Sequence, residues 1–380
     1  MIADVPGAPI LLGTQAGTAL AALVGEGGSR LVSFRPAQVV YRPGRRMAVV
    51  YDAVIDEGVQ RSLVLHTGRG GPEGGTVIDA DGLEIKGWAL PFDPDLPGLR
   101  LWFDPAAREH LLAGAGIAGP GTMRLRSYRP TKRAVLEVIA PPHRVFVKLV
   151  RPSAVAKLQA LHALLGQTMP IPRSLGWLPE HGAVVLEGLA GSALADSDSA
   201  PSAESITGLL DLIPMTESGV VPGKDRVAGH AAVLEHLAPE RAVDLSELVS
   251  AMSDIPDDPV IPVHGDLHSG QLMVDRGRIT GLVDIDTVGM GSRADDLANL
   301  IAHLHTVALG ANPSAARVGE ALLEGFDRMV APGLLRLRVA GTLLGYAPGP
   351  WLRQSQGWQH EVGRRLDAAL AWKREAERLS

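Results

Sequence analysis

Val263-His264-Gly265-Asp266-Leu267-His268-Ser269-Gly270-Gln271-Leu272-Met273-Val274 reads as a short polar loop feeding an apolar strand, and Ile279–Asp286 as a second strand closing on two carboxylates, Asp284 and Asp286. The intervening Asp275-Arg276-Gly277-Arg278 is short enough for a hairpin, which brings Asp266, Gln271 and Asp284 to one mouth. That set suits phosphoryl transfer. One carboxylate can accept the proton of a hydroxyl nucleophile, while a second carboxylate and an amide oxygen hold Mg²⁺ with several waters. Asp284 and Asp286 share a strand face only if the strand runs that far. Asp286 is left open between metal ligand, substrate contact and strand cap.

Phosphates also need a cation from another strand. Of the 36 basic residues only six are lysines, namely Lys86, Lys132, Lys148, Lys157, Lys224 and Lys373. Lys132 falls in a turn, Lys157 on a helix, and Lys224 and Lys373 in a helical half. Lys86 lies outside the repeated unit described next, so only Lys148, in the apolar run Arg144–Val150, is suitably placed. The repeat begins with a hexamer, Tyr41-Arg42-Pro43-Gly44-Arg45-Arg46 and again Tyr128-Arg129-Pro130-Thr131-Lys132-Arg133, each followed by two apolar strands. The second copy ends Val145-Phe146-Val147-Lys148; the first ends Leu63-Val64-Leu65-His66.

The elements that must position these residues change character along the chain. From Ser33 to Leu101 and from Met123 to Val150 the texture is short β-branched runs bounded by turns. Ser153–Leu165 reads as a helix with Ser153 as N-cap. Beyond the Ala195–Ala203 joint helical periods dominate, over Ser205–Ile213, Val227–Leu237, Leu245–Met252, Asp295–Leu309, Ala315–Met329 and Trp358–Leu379. The expectation is an α+β bilobal protein, with a cap over residues 1–116, a β-rich lobe over 117–190 and a helical lobe over 191–380. Pro91–Gly98 reads as a rigid connection without chemistry.

The 380 residues are 46% hydrophobic and 21% charged, which excludes a wholly disordered or coiled-coil chain. Cysteine is absent, which removes disulfide scaffolds, zinc ribbons, Fe–S clusters and thiol nucleophiles. A net charge of −6 argues against a nucleic-acid partner, although a basic cleft is compatible with it. The apolar start from Ala8 to Val24 lacks a positive n-region and no run reaches membrane-spanning length, so the expectation is a cytoplasmic protein without a membrane partner.

Taken in order, H-G-D-L-H-x-x-Q, V-D-I-D-x-x-x-x-G and D-D-L-A resemble the aminoglycoside phosphotransferase and small-molecule kinase family, relatives of protein kinases, over Met123–Leu304. The resemblance implies a protein-kinase-like fold preceded by a β-rich cap that resembles a degenerate small lobe, and it implies ATP and Mg²⁺ as cofactors. It makes Asp266 the catalytic base, Asp284 a metal ligand, and Gln271 the stand-in for the family's metal-binding Asn, as in maltokinase-like members. His264 and Asp296 would support the catalytic loop, and His268 would shape it. Lys148 would hold phosphates, and Val184–Leu189 would be the strand and hinge whose backbone receives adenine at Glu187 and Leu189.

Two family features are missing. No G-x-G-x-x-G precedes Val135, and no acidic residue lies between Lys148 and Glu180. Lys148 must then lean on Gln159, Glu137 or phosphate alone.

The function expected is transfer of phosphate from ATP to a hydroxyl of a small molecule, such as a sugar, amino sugar, aminoglycoside or amino alcohol. A kinase-like nucleotide-binding or regulatory protein without turnover is the main alternative. A hydrolase using His264, Asp266 and His268 as an H-x-D-x-H metal chelate is a minor one. Asp254, Asp257 and Asp258 are open between acceptor contacts and a solvated loop, and Trp351 and Trp358 between a substrate wall and core.

Overall fold

The computed structural model describes residues 4–56, 58–80 and 82–380. The chain divides into two compact units. The first takes the described residues up to Ala160 with Arg173–Gly188 and Trp351–Gln356; the second takes Leu161–Pro172, Leu189–Pro350 and Gly357–Ser380.

In the first unit two short helices, α1 (Ala8–Leu12) and α2 (Ala16–Gly25), precede five antiparallel strands, β1 (Leu31–Arg42), β2 (Arg46–Ile55), β3 (Val59–Gly68), β4 (Thr76–Ala80) and β5 (Leu83–Ala89). After α3 (Leu99–Phe103) and α4 (Pro105–Gly114) comes a second antiparallel sheet, β6 (Thr122–Arg129), β7 (Arg133–Ala140), β8 (His143–Val150), β9 (Ser174–Leu178) and β10 (Ala183–Glu187). The first sheet runs β1-β2-β3-β5-β4 and the second β6-β7-β8-β10-β9. The repeat seen as a hexamer is therefore a repeat of whole-sheet topology.

The two sheets share one core. Alternate residues of each strand enter it, Ala48 and Val50 on β2, Leu136 and Val138 on β7, Val145 and Val147 on β8, closing over Trp88, Trp102 and Leu112. The opposite face of β8 carries Lys148 with Phe146 and Val150, and there Val155 and Leu158 of α5 (Pro152–Leu165) pack against Val184 and Leu186. This helix starts at Pro152, so Ser153 stands inside the first turn and not at the cap; proline, with no N–H to satisfy, suits that first position.

The second unit is mostly helical. It contains β11 (Ser192–Ala193), α6 (Ala203–Leu210), α7 (Gly223–Leu237), α8 (Ala242–Ser253), β12 (Ile261–Val263), β13 (Leu272–Asp275), β14 (Arg278–Leu282), β15 (Gly289–Gly291), α9 (Arg293–Leu309), α10 (Pro313–Phe326) and α11 (Pro332–Tyr346). The short α12 (Gly349–Leu352) leads to α13 (Trp358–Leu379). The α+β order read from the sequence holds, with antiparallel sheets first and helices after. Ser202 caps α6 by accepting from Ser205 N–H, and Asn312 caps α10 by accepting from Ala315 N–H, so both helices begin two residues before the sequence expectation.

Helix α11 has no counterpart in that expectation. It packs against α7, α8, α9 and α13 and is buried all round, including Arg336 and Arg338. Among the described residues no helix is long and apolar enough to cross a membrane.

Candidate active site

The loop between β12 and β13 is held from below by α9. Asp296, in the first turn of that helix and 2% exposed, accepts the backbone N–H groups of His264 at 2.7 Å and Gly265 at 2.9 Å. Burial raises its carboxyl to about 6, against the pull of those N–H donors. Gly265 has φ +81°, and a Cβ there would lie 2.5 Å from the Thr287 carbonyl oxygen, so only glycine fits this bend. His264 is fully buried; its Nε2 lies 3.3 Å from the Val283 carbonyl and its own carbonyl accepts from Thr287 Oγ1 at 3.0 Å. Arg226 of α7 donates to the Gly265 carbonyl at 3.3 Å.

Asp266 is half-buried at the turn of the loop. Its Oδ1 accepts from Asn299 Nδ2 at 3.3 Å, and Asn299 is oriented by Tyr346 of α11, whose hydroxyl donates to Asn299 Oδ1 at 2.7 Å. Burial, then the Asp266 carboxylate, push the Tyr346 phenol well above its ordinary pKa, which keeps it a donor. Asn299 stands one turn of α9 beyond Asp296, so one helix face holds both the loop backbone and the Asp266 side chain.

His268 Nδ1 accepts from Gly270 N–H at 3.1 Å, and its ring stacks on His303 at 4.6 Å. His303 Nδ1 and Ser269 Oγ share a hydrogen bond of 2.7 Å, and burial, then His268, lower His303 to about 4, leaving it neutral at pH 7. These commitments turn the His264 and His268 rings to separate tasks. Among the described residues no group of three His, Asp or Glu side chains could hold a metal, so the H-x-D-x-H chelate does not form.

Gln271 is 3% exposed, with Oε1 accepting from His268 N–H at 3.2 Å and Nε2 buried without a partner. The hairpin β13–β14 forms in the expected place, with Leu272 opposite Leu282 and Asp275 opposite Arg278; Arg276 and Gly277, both at positive φ, make its turn. The strand ends at Leu282. Asp284 follows in the left-handed region at φ 58° and ψ 52°, and Ile285–Thr287 is a single 3₁₀ turn. A non-glycine residue there is uncommon and marks a fixed site. Asp286 is exposed on that turn, so the shared strand face with Asp284, which required a longer strand, does not arise.

For a divalent cation the side chains supply oxygen only. Asp284 offers a carboxylate and Gln271 an amide oxygen whose second lone pair is not used by His268. Two protein oxygens completed by phosphate and water fit Mg²⁺, which keeps its waters and binds through few carboxylates.

In the first unit Lys148 is 6% exposed and pairs in register with Val135 and Val184. Gln159 is engaged by Ser174, whose hydroxyl donates to Oε1 at 2.8 Å. Glu137 accepts from Arg144 Nε at 2.7 Å and faces Arg126 at 3.6 Å. Glu187 closes β10, where its N–H donates to the Arg173 carbonyl at 2.9 Å and its carboxylate accepts from Arg173 Nε at 3.0 Å. Leu189 opens the second unit, with its Cδ1 against the backbone of Gly281.

Asn299, Tyr346, Arg226 and Arg338 were not read from the sequence as part of the site. Only Asn299 left a signal, its i+3 spacing from Asp296. Arg338, 4% exposed, joins Asp295 at the start of α9 to Asp258 at 2.7 Å, while Asp257 pairs with Lys224. Asp258 is thus an anchor of the helix that braces the loop. Trp351 is buried against Tyr41, at 5.8 Å and 83°.

The span that contains this loop, hairpin and helix has a counterpart among known proteins. Residues 215–332 match the sequence model of the phosphotransferase enzyme family. The family likeness carried by the His264–Gln271, Val283–Asp286 and Asp295–Ala298 motifs is borne out by that match. No curated protein matches the chain significantly. Among solved structures, the chain is similar to a thermostable mutant of aminoglycoside phosphotransferase APH(4)-Ia in ternary complex with ADP and hygromycin B, at 16% identity over 70% of this chain and 98% of that one, TM-score 0.49. It is also similar to macrolide 2'-phosphotransferase type I, at 18% identity over 70% and 97%, TM-score 0.46. A third is the streptomycin–ATP–APH(2")-IIa ternary complex, at 15% identity over 68% and 98%, TM-score 0.45.

Proposed function

We propose that this chain is an ATP- and Mg²⁺-dependent phosphotransferase acting on a hydroxyl of a small molecule, and that it works in the cytoplasm. The observation that carries the reading is the Asp266 loop, whose backbone is clamped by buried Asp296 while Asn299 fixes the carboxylate. Asp266 takes the proton of the acceptor hydroxyl as its oxygen bonds to the γ-phosphorus; the bond to the β–γ bridging oxygen breaks, and ADP leaves. Asp284 and Gln271 would hold Mg²⁺, which when bound supplies neutralisation of phosphate charge. Lys148 would orient the phosphates, and the Glu187–Leu189 backbone would receive adenine. Catalysis is then mostly positioning, which a loop held by a helix face provides.

A panel of sugars, amino sugars, aminoglycosides and amino alcohols, scored by ADP release with Mg·ATP, tests the reading. Acceptor-dependent release with at least one member supports it. Stabilisation by Mg·ATP without turnover on any member would instead favour a silent nucleotide-binding protein. Absence of any nucleotide effect on melting would sink both.

A further inference from the structure

The repeated hexamer is the sequence motif that phosphoryl transfer leaves unused, and in the first unit its two copies line one pocket. Tyr41–Arg46 turns β1 into β2, and Tyr128–Arg133 turns β6 into β7, with Arg42 opposite Arg46 and Arg129 opposite Arg133. Both turns are clamped alike. Tyr41 OH and Gly44 N–H donate to Asp4 at 2.6 and 2.5 Å; Tyr128 OH and Thr131 N–H donate to Asp93 at 2.6 and 2.9 Å. Gly44 and Thr131 both have positive φ, 64° and 60°. The backbones that carry the arginines are therefore fixed before any ligand arrives.

The pocket is small and partly open to solvent, and Arg42, Arg46, Arg129, Lys132 and His66 are among its lining residues. Four cations around so small a volume repel one another. Among the described residues Arg42 and Lys132 have no carboxylate partner; Asp93 is taken by the second turn, and Asp95 pairs with Arg151 at 2.6 Å and acts at longer range on Arg46. Burial, then Arg129 and Arg42, push Lys132 down to about 8, the mark of a cation short of counter-charge.

His66 supplies an independent observation. It is 3% exposed, and its Nε2 is buried without a hydrogen-bond partner. Burial, then Arg46 and Lys86, lower it to about 4, so its neutral ring can present an N–H. It pairs with Ala48, two residues past the first hexamer, as Lys148 pairs with Val135, two residues past the second. His66 thus holds in the first sheet the register position of Lys148 in the second.

We propose that this pocket binds a phosphate-bearing small molecule. Guanidinium forks meet phosphate oxygens in pairs, Lys132 adds a point charge, and the His66 ring lines the same pocket. The enclosed part holds about one water-sized group, so a phosphate oxygen enters it while the rest of the ligand stays at the open rim. The pocket is built within the first unit and does not depend on the role given to Asp266.

Calorimetric titration of the full chain with pyrophosphate and glycerol 3-phosphate at constant ionic strength tests the proposal, with malonate as the carboxylate control. The expected result is saturable binding of at least one phosphate probe, weakened about tenfold or more in the double variant R42Q/K132Q and retained in K148M. The ¹⁵N signals of the His66 ring should shift with the same saturation curve, a reading that needs no change in the core. Loss of binding in K148M with R42Q/K132Q unaffected would move the anion to the nucleotide site and overturn the proposal. No saturable binding, equal binding of malonate, or an unmoved His66 would overturn it as well.

Discussion

Replacing Asp296 probes the clamp on which the site rests. Its two oxygens accept from His264 N–H at 2.7 Å and Gly265 N–H at 2.9 Å, in a place 2% exposed where water cannot substitute. Asp296→Asn keeps the shape but can accept only one of the two bonds, and its NH₂ faces the other donor. A buried donor left unsatisfied costs about 1–3 kcal/mol, so D296N should lose about that much at pH 7.5 and Asp296→Ala, which abandons both, about 2–6 kcal/mol.

The pH dependence carries a sign. Burial raises the folded-state pKa to about 6, above the ordinary value of 3.8, so wild-type stability attached to the neutral form is present at pH 4 and lost as pH rises through 6. That shift corresponds to about 3 kcal/mol, and D296N has no such titration. The penalty of D296N should therefore be about 3 kcal/mol larger at pH 4 than at pH 7.5. Urea unfolding at the two pH values, with turnover measured at the higher, gives both numbers. Equal penalties at both pH values, or an Ala variant as stable as wild type, would show that Asp296 does not clamp the loop in this way.

Other expectations can be checked with the same methods. Asn299→Ala and Tyr346→Phe both release the orientation of Asp266, so kcat should fall several-fold while KM for ATP stays within twofold; an effect on KM alone would contradict the positioning role. Gly265→Ala must place its Cβ 2.5 Å from a backbone oxygen at φ +81°, and it should unfold at lower urea by at least ~2 kcal/mol with turnover lost. His66, His230 and His303 are each lowered to about 4 by burial, so the stability they lend as neutral rings is present above pH 6.5 and lost as pH falls toward 4. The urea midpoint followed by circular dichroism should lose this contribution across that window, and lose less of it in His303→Asn.

The loop and hairpin were legible because their chemistry is local. Turn length, a polar loop and an apolar strand in order already bring Asp266, Gln271 and Asp284 near one another, and D-D-L-A opens a helix where its carboxylates suit the dipole. The hexamer disclosed a duplicated unit, which the structure extends to an identical strand order in both sheets.

Helix α11 was hidden because it is buried on every side, so Leu-Leu-Arg-Leu-Arg-Val-Ala shows no amphipathic period, and its arginines meet carboxylates distant in sequence, Arg336 with Glu375 and Arg338 with Asp258. Tyr346 and its hold on Asn299 were lost with it. Asp93 lay in a proline-rich stretch that reads as mere connection, yet it is 1% exposed and clamps the second hexamer turn. The departure of Asp284 from strand geometry is a backbone event that alternation could not foretell.

In the proposed reaction Asp266 accepts the hydroxyl proton during phosphoryl transfer from ATP. The most direct test is acceptor-dependent ADP release by wild type and by Asp266→Asn, with Mg·ATP binding to both followed by thermal shift. Turnover should be lower by about 10²–10⁴ in D266N while nucleotide binding persists. Turnover in D266N equal to wild type would contradict that role.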